Sequence, residues 1–153
     1  MELRQHDGGW HPAFQDGSVQ LIQIDFRLEL FLNDPPEMAT LYVETPCRLR
    51  GPCINTVLTP DTPSTLAPAL FLFNSKVIAL DTGAKGNRRI EFGGPYCLEV
   101  DSTDAHEAWQ VGSPTNGFLL VCSLGGEVSF FLQGERNSAN ASLGLVGNAR
   151  KPD

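Results

Sequence analysis

The chain has 153 residues and a formal net charge of -7, from eleven Lys and Arg against eighteen Asp and Glu, with 41% apolar and 19% charged residues. That composition belongs to one globular domain with a buried core and excludes a disordered chain. It offers no basic footprint for displacing counterions from nucleic acid and no apolar run long enough to cross a bilayer as a helix, so neither a nucleic-acid nor a membrane partner is expected.

Residues 1–18 are rich in Gly, Asp, His and Gln and read as a loosely ordered lead-in that Trp10 and Phe14 can pin to the body. They lack a charged-then-apolar signal pattern, which points to a cytoplasmic protein. Next, Ile22, Ile24, Phe26, Leu28, Leu30 and Leu32 alternate with Gln23, Asp25, Arg27, Glu29 and Phe31. A strict period of two predicts a strand with one buried and one wet face. Asn33-Asp34-Pro35-Pro36 stops it, because proline cannot donate to a ladder. Residues 39–45 read as the next antiparallel strand, with Leu41 and Val43 on one face and Tyr42 and Glu44 on the other. Residues 46–52 carry turn chemistry, and residues 54–59 suit a short strand.

A helix is predicted over residues 65–73, capped by Asp61, Thr62 or Ser64 and sharing Leu66, Leu70 and Phe73 on its buried face. Pro68 requires it to begin near that residue or to be irregular. Short strands then recur at 77–80, 89–92, 97–100, 108–111, 118–122 and 128–132, separated by Gly, Pro, Asn or Ser. Residues 133–153, rich in Gly, Asn and Ser, read as a flexible tail. The expected fold is α+β and mainly β: one domain over residues 19–132, an antiparallel twisted or rolled sheet of short strands with one short helix packed on it.

Residues 90–135 contain no Lys or Arg but hold Glu91, Glu99, Asp101, Asp104, Glu107, Glu127 and Glu135. Such a stretch repels anions and can steer a basic partner, although acidity also serves solubility. Asp101, Asp104, His106 and Glu107 form its densest part, without the spacing or the central glycine of a calcium loop. Trp109 beside them is either a binding anchor or core, and indole is usually buried. Cys47, Cys53, Cys97 and Cys122 form no paired zinc ligands; Cys97 and Cys122 read as buried small hydrophobes, while Cys47 and Cys53 bracket a Gly-Pro turn and could approach each other. The basic clusters Arg48/Arg50 and Lys85/Arg88/Arg89 read as solvated turns. No nucleophile elbow or Walker spacing is present, so no catalytic residue, metal or cofactor is assigned.

The order of these features resembles a family of short bacterial proteins, frequent in actinobacteria, catalogued as domain of unknown function 6188. The resemblance rests on the opening strand, the segment Ser64-Thr65-Leu66-Ala67-Pro68-Ala69-Leu70, His106-Glu107-Ala108-Trp109, Leu119-Leu120-Val121-Cys122 and Gly125-Gly126-Glu127-Val128. In that family the aromatic motif usually begins with tyrosine, where this chain has His106. The resemblance implies the fold and a bacterial cytoplasmic setting, and no activity.

Two functional expectations follow. The first is a non-enzymatic binding protein, immunity-like in its most concrete form, whose Asp101, Asp104, His106, Glu107 and Trp109 engage a basic protein partner. The second is a small-ligand or enzymatic pocket near Cys97, His106 and Cys122. A homodimer through an exposed strand edge is a further possibility.

Overall fold

The structure is a computed structural model and describes residues 2–6, 9–13, 17–34, 36–83, 85–115 and 117–132. Phe14 and the tail at residues 133–153 lie outside the described residues. The fold is mainly β, built as two antiparallel open sheets. Six strands form the larger sheet: β3 (Ser18–Ile24), β4 (Leu28–Asp34), β5 (Glu37–Val43), β11 (Trp109–Ser113), β12 (Phe118–Cys122) and β13 (Val128–Leu132), in the order β13-β12-β11-β5-β4-β3. Five form the smaller: β6 (Cys47–Gly51), β7 (Ile54–Leu58), β8 (Val77–Thr82), β9 (Arg88–Phe92) and β10 (Cys97–Val100), in the order β7-β6-β10-β9-β8. β1 (Glu2–His6) and β2 (Gly9–Ala13) pair as a separate hairpin where the composition suggests only a loose lead-in.

Alternation decides which face of each sheet is dry. Leu28, Leu30, Leu32, Leu41, Val43, Val111 and Leu120 of the larger sheet share one core cluster with Leu49, Leu58, Leu80, Ile90, Leu98 and Val100 of the smaller. The two apolar faces therefore bury each other, while the outer faces mix polar residues with exposed apolar ones, among them Leu21, Phe31, Val57, Ile78 and Phe131.

The period-two run at residues 22–32 is not one strand. It is the β3–β4 hairpin, turning at Asp25-Phe26-Arg27, where the Asp25 N–H donates to the Arg27 carbonyl at 3.1 Å. Ile24 pairs with Leu28 and Ile22 with Leu30, so a three-residue loop returns the chain with its even-numbered residues still on one face. Parity survives the turn, and the turn is invisible to it. Phe26 at the tip has a φ of 52° and is 88% exposed. An irregularity between Val19 and Leu21 then shifts the register of β3, leaving Val19 in the core and Leu21 half exposed.

β6 is a second difference. Residues 46–52 read as a turn because Pro46, Gly51 and Pro52 flank two arginines. The strand forms between those breakers: Cys47 and Leu49 enter the core while Arg48 and Arg50 face solvent.

The helix is a third. It spans Pro63–Leu72 as a 3₁₀ helix, with Pro63 in its first turn and Pro68 inside it. No side chain caps its start; instead the Thr65 hydroxyl donates to the Thr62 carbonyl at 2.7 Å and accepts the Thr59 N–H at 2.8 Å. Three residues per turn place Leu66, Ala69 and Leu72 on the buried face, not Leu66, Leu70 and Phe73. Leu70 is 65% exposed and Phe73 is about as open. No described helix is long and apolar enough to cross a membrane.

This register is checkable by urea unfolding. Leu72→Ala should cost about 2–5 kcal/mol, as for other leucine truncations in packed cores, whereas Leu70→Ala should stay within about 0.5 kcal/mol. An α-helical register would give Leu70→Ala the larger cost.

Candidate functional site

The two sheets are tied together at one end by a buried polar contact. Trp109, at the start of β11, is 0% exposed, and its indole N–H donates to the Gly86 carbonyl of the β8–β9 turn at 2.7 Å. The same carbonyl lies 3.4 Å from the Cys122 thiol. Arg88, 1% exposed, stacks its guanidinium 4.3 Å over the Trp109 ring and donates from Nη1 to the Thr82 hydroxyl at 2.6 Å. Its Nε and Nη2 have no hydrogen-bond partner, and burial pushes its pKa down to about 9, with Asp81 and Cys122 opposing that shift. Gly86 has a φ of 73°, and a Cβ there would collide with the Gly126 carbonyl; one at Gly126 would collide with the Lys85 carbonyl. The turn before β9 and the Gly-Gly turn before β13 thus touch backbone to backbone.

Trp109 is therefore core. Its N–H is already committed within the fold, and it is not available as an anchor for a partner.

The connection between β10 and β11 joins this end. The Gly125 N–H donates to the Thr103 carbonyl at 3.0 Å, and the Ala105 N–H to the Thr103 hydroxyl at 3.2 Å. On this connection Asp101, Asp104 and His106 are exposed, and the half-buried Glu107 accepts a hydrogen bond from Gln110 at 2.6 Å. Glu127 is exposed on the adjoining turn. Among the described residues, Asp101 and Asp104 have no cationic partner.

The rest of the acidic run behaves differently. Glu99 on β10 lies between two strands that each bring an arginine: Arg50 Nη2 approaches it at 2.9 Å and Arg89 Nη1 at 3.0 Å. Arg89 Nε also pairs with Glu91 at 3.0 Å. These exposed pairs contribute little stability each, but they cancel the charge of Glu91 and Glu99. Glu135 lies outside the described residues.

β10 thus brings together two basic clusters that are far apart in the sequence. Glu99 registers with Arg48 on one side and Arg89 on the other. Arg48, Arg50, Arg88 and Arg89, with Glu99 and Asp101, line a cleft of about 540 Å³. Sequence reading takes these arginines as solvated turns; the signal that finds them is the alternation Cys47-Arg48-Leu49-Arg50, which reads as a strand once the flanking prolines are set aside.

Cys97, His106 and Cys122 do not converge. Cys97 lies on the outer side of the smaller sheet, Cys122 in the core on the larger, and His106 on the exposed connection. All four cysteines are free, with Cys47 buried and Cys53 exposed. Among the described residues no group of His, Cys, Asp or Glu has the arrangement to hold a metal ion.

The model of a family described as Family of unknown function (DUF6188) matches residues 10–132. No curated protein and no solved structure matches the chain.

Two buried groups give the fold an alkaline signature. Burial pushes the Cys47 thiol up to about 12. An unfolded thiol ionises earlier, so the folded state holds the extra proton between about 9 and about 12, and Cys47 removes stability as pH rises through that window. Arg88 acts in the opposite sense: the folded guanidinium releases its proton near 9 while the unfolded one keeps it, so its burial cost falls as pH rises. Cys47→Ala deletes only the unfavourable slope. Urea unfolding should then show the variant losing less stability than the parent between about pH 9 and about pH 11; parallel pH profiles would contradict the assignment.

Proposed function

The chain belongs to the DUF6188 family, and from that premise we propose that it is a non-enzymatic binding protein whose acidic end engages a basic protein partner. The single observation carrying this reading is the division of the acidic run. Glu91 and Glu99 are neutralised by arginines, whereas Asp101 and Asp104 stand exposed, without a cationic partner among the described residues, on the connection that the Gly125–Thr103 hydrogen bond ties to the neighbouring turn. His106, Glu107 and Glu127 extend the same end. Carboxylates held on a tied loop lose little entropy on docking and steer a cationic surface into register.

Neutralisation of a basic toxin by an immunity-type contact is the most concrete form of this role; it rests on analogy with other small acidic proteins. The four free thiols suit a cytoplasmic setting, where cysteines stay reduced. The alternative of a pocket at Cys97, His106 and Cys122 is less favoured because those side chains occupy three different surroundings.

Affinity purification with mass spectrometry tests the proposal. A basic protein should be retained at low salt, released by about 0.5 M salt, and lost from the triple variant Asp101→Asn, Asp104→Asn, Glu107→Gln. Partners retained equally by the triple variant at low salt would contradict it.

A further inference from the structure

Among the described residues, two that are not glycine have a positive φ, Asn74 and Phe26. Asparagine tolerates this left-handed backbone, whereas a phenylalanine there is strained by its Cβ. Phe26, at the tip of the β3–β4 hairpin, is also 88% exposed, so its ring gains little from packing. Its neighbours hold the tip firmly. Arg27 pairs with Glu29 at 2.6 Å, reaches Glu44 at 3.8 Å and lies 4.4 Å over the Tyr42 ring, while the Asp25 N–H donates to the Arg27 carbonyl. A braced loop thus presents a strained aromatic ring to water, and nothing inside the chain offsets either penalty. Strain of this kind persists where it serves a contact.

The tip stands at the acidic end. Leu28, Val43, Trp109, Cys122 and Val128 are successive partners across the larger sheet, so the β3–β4 tip, the β10–β11 connection and the β12–β13 turn all leave it at that end. Leu124, on the last of these, is 57% exposed. β4 and β12 are three strand spacings apart, about 14–15 Å, and β11, which receives the connection carrying Asp101, Asp104 and Glu107, lies between them. Asp25 and Glu127 are exposed beside the two apolar side chains. The cations described at this end are Arg27, engaged with Glu29 and Glu44, the exposed Lys85 and the buried Arg88. Asp25, Glu29, Glu44, Asp101, Asp104, Glu107 and Glu127 outnumber them. An apolar point on either side of a band of carboxylates has the anatomy of an interface, with anchors to be desolvated and charge around them.

We propose that Phe26 and Leu124 are the anchors by which this end holds its partner, and that the partner surface is basic with apolar sockets spaced to receive them. The inference rests on the basic-partner reading and adds to it: the carboxylates steer, and the two apolar side chains slow release.

Fluorescence anisotropy on the full chain tests this with two labelled peptides of equal length and charge, one alternating Lys and Leu, the other alternating Lys and Ser. At low salt the Lys-Leu peptide should bind at least about tenfold more tightly. Phe26→Asn combined with Leu124→Ser should bring the two affinities within about twofold of each other. The triple variant Asp101→Asn, Asp104→Asn, Glu107→Gln should weaken both peptides and leave the preference intact. Phe26→Asn alone should raise the urea midpoint, because asparagine relieves the strained backbone, so its lost preference cannot come from unfolding. Light scattering should show no dimer that depends on Phe26. No preference in the parent, a preference that survives removal of both side chains, a lowered urea midpoint, or a Phe26-dependent dimer would overturn the anchor assignment and leave the basic-partner reading standing. A triple variant that binds both peptides as tightly as the parent would remove that reading and this proposal with it.

Discussion

The hydrogen bond from the Trp109 indole to the Gly86 carbonyl is the contact on which the rest of this structure depends. It runs from the first residue of β11 in one sheet to the turn before β9 in the other. Apolar burial alone would hold the sheets face to face while leaving their relative position loosely specified, because dispersion and the hydrophobic effect are non-directional. A directional bond in a dry site fixes position, and losing it would leave a buried carbonyl with only the weak Cys122 thiol donor. Around it, Arg88 covers the ring and Gly86 and Gly126 allow the two turns to approach as backbone. Arg88 sits there at a cost, with two unpartnered nitrogens and a pKa pushed down by burial. Its stacking on the indole offsets part of that cost.

That tie sets where charge appears. With the sheets fixed, the β10–β11 connection lies against the turn before β13 and presents Asp101 and Asp104 at one end. Immediately before it, β10 sets Glu99 between the arginines of β6 and β9. Asp101, on the exposed connection, also lines the cleft that holds Arg48, Arg50 and Arg89.

The mainly β architecture and the strands from β8 onward were legible because period two and turn chemistry act locally. What escaped was decided by geometry that local pattern does not encode. The β3–β4 hairpin kept the same parity on both sides of Phe26, so alternation continued through a reversal of direction. β6 was hidden because Pro46 and Pro52 bracket it closely, although Cys47 and Leu49 alternate with arginines as a half-buried strand should. The buried face of the helix shifted from Leu66, Leu70 and Phe73 to Leu66, Ala69 and Leu72 because the segment has three residues per turn. The acidic run was visible, but the pairing of Glu99 with Arg50 and Arg89 needed the strand order, which places β10 between β6 and β9. Trp109 reads from sequence as core more than interface, and its burial and the N–H committed to Gly86 agree with that.

Hydrogen exchange of the Trp109 indole proton, followed by NMR in a Trp10→Phe background, measures this tie most directly. The account predicts exchange only through global unfolding, with a protection free energy equal to that of the slowest core amides. Exchange as fast as that of amides in the β10–β11 connection would show that the two sheets are held together without it.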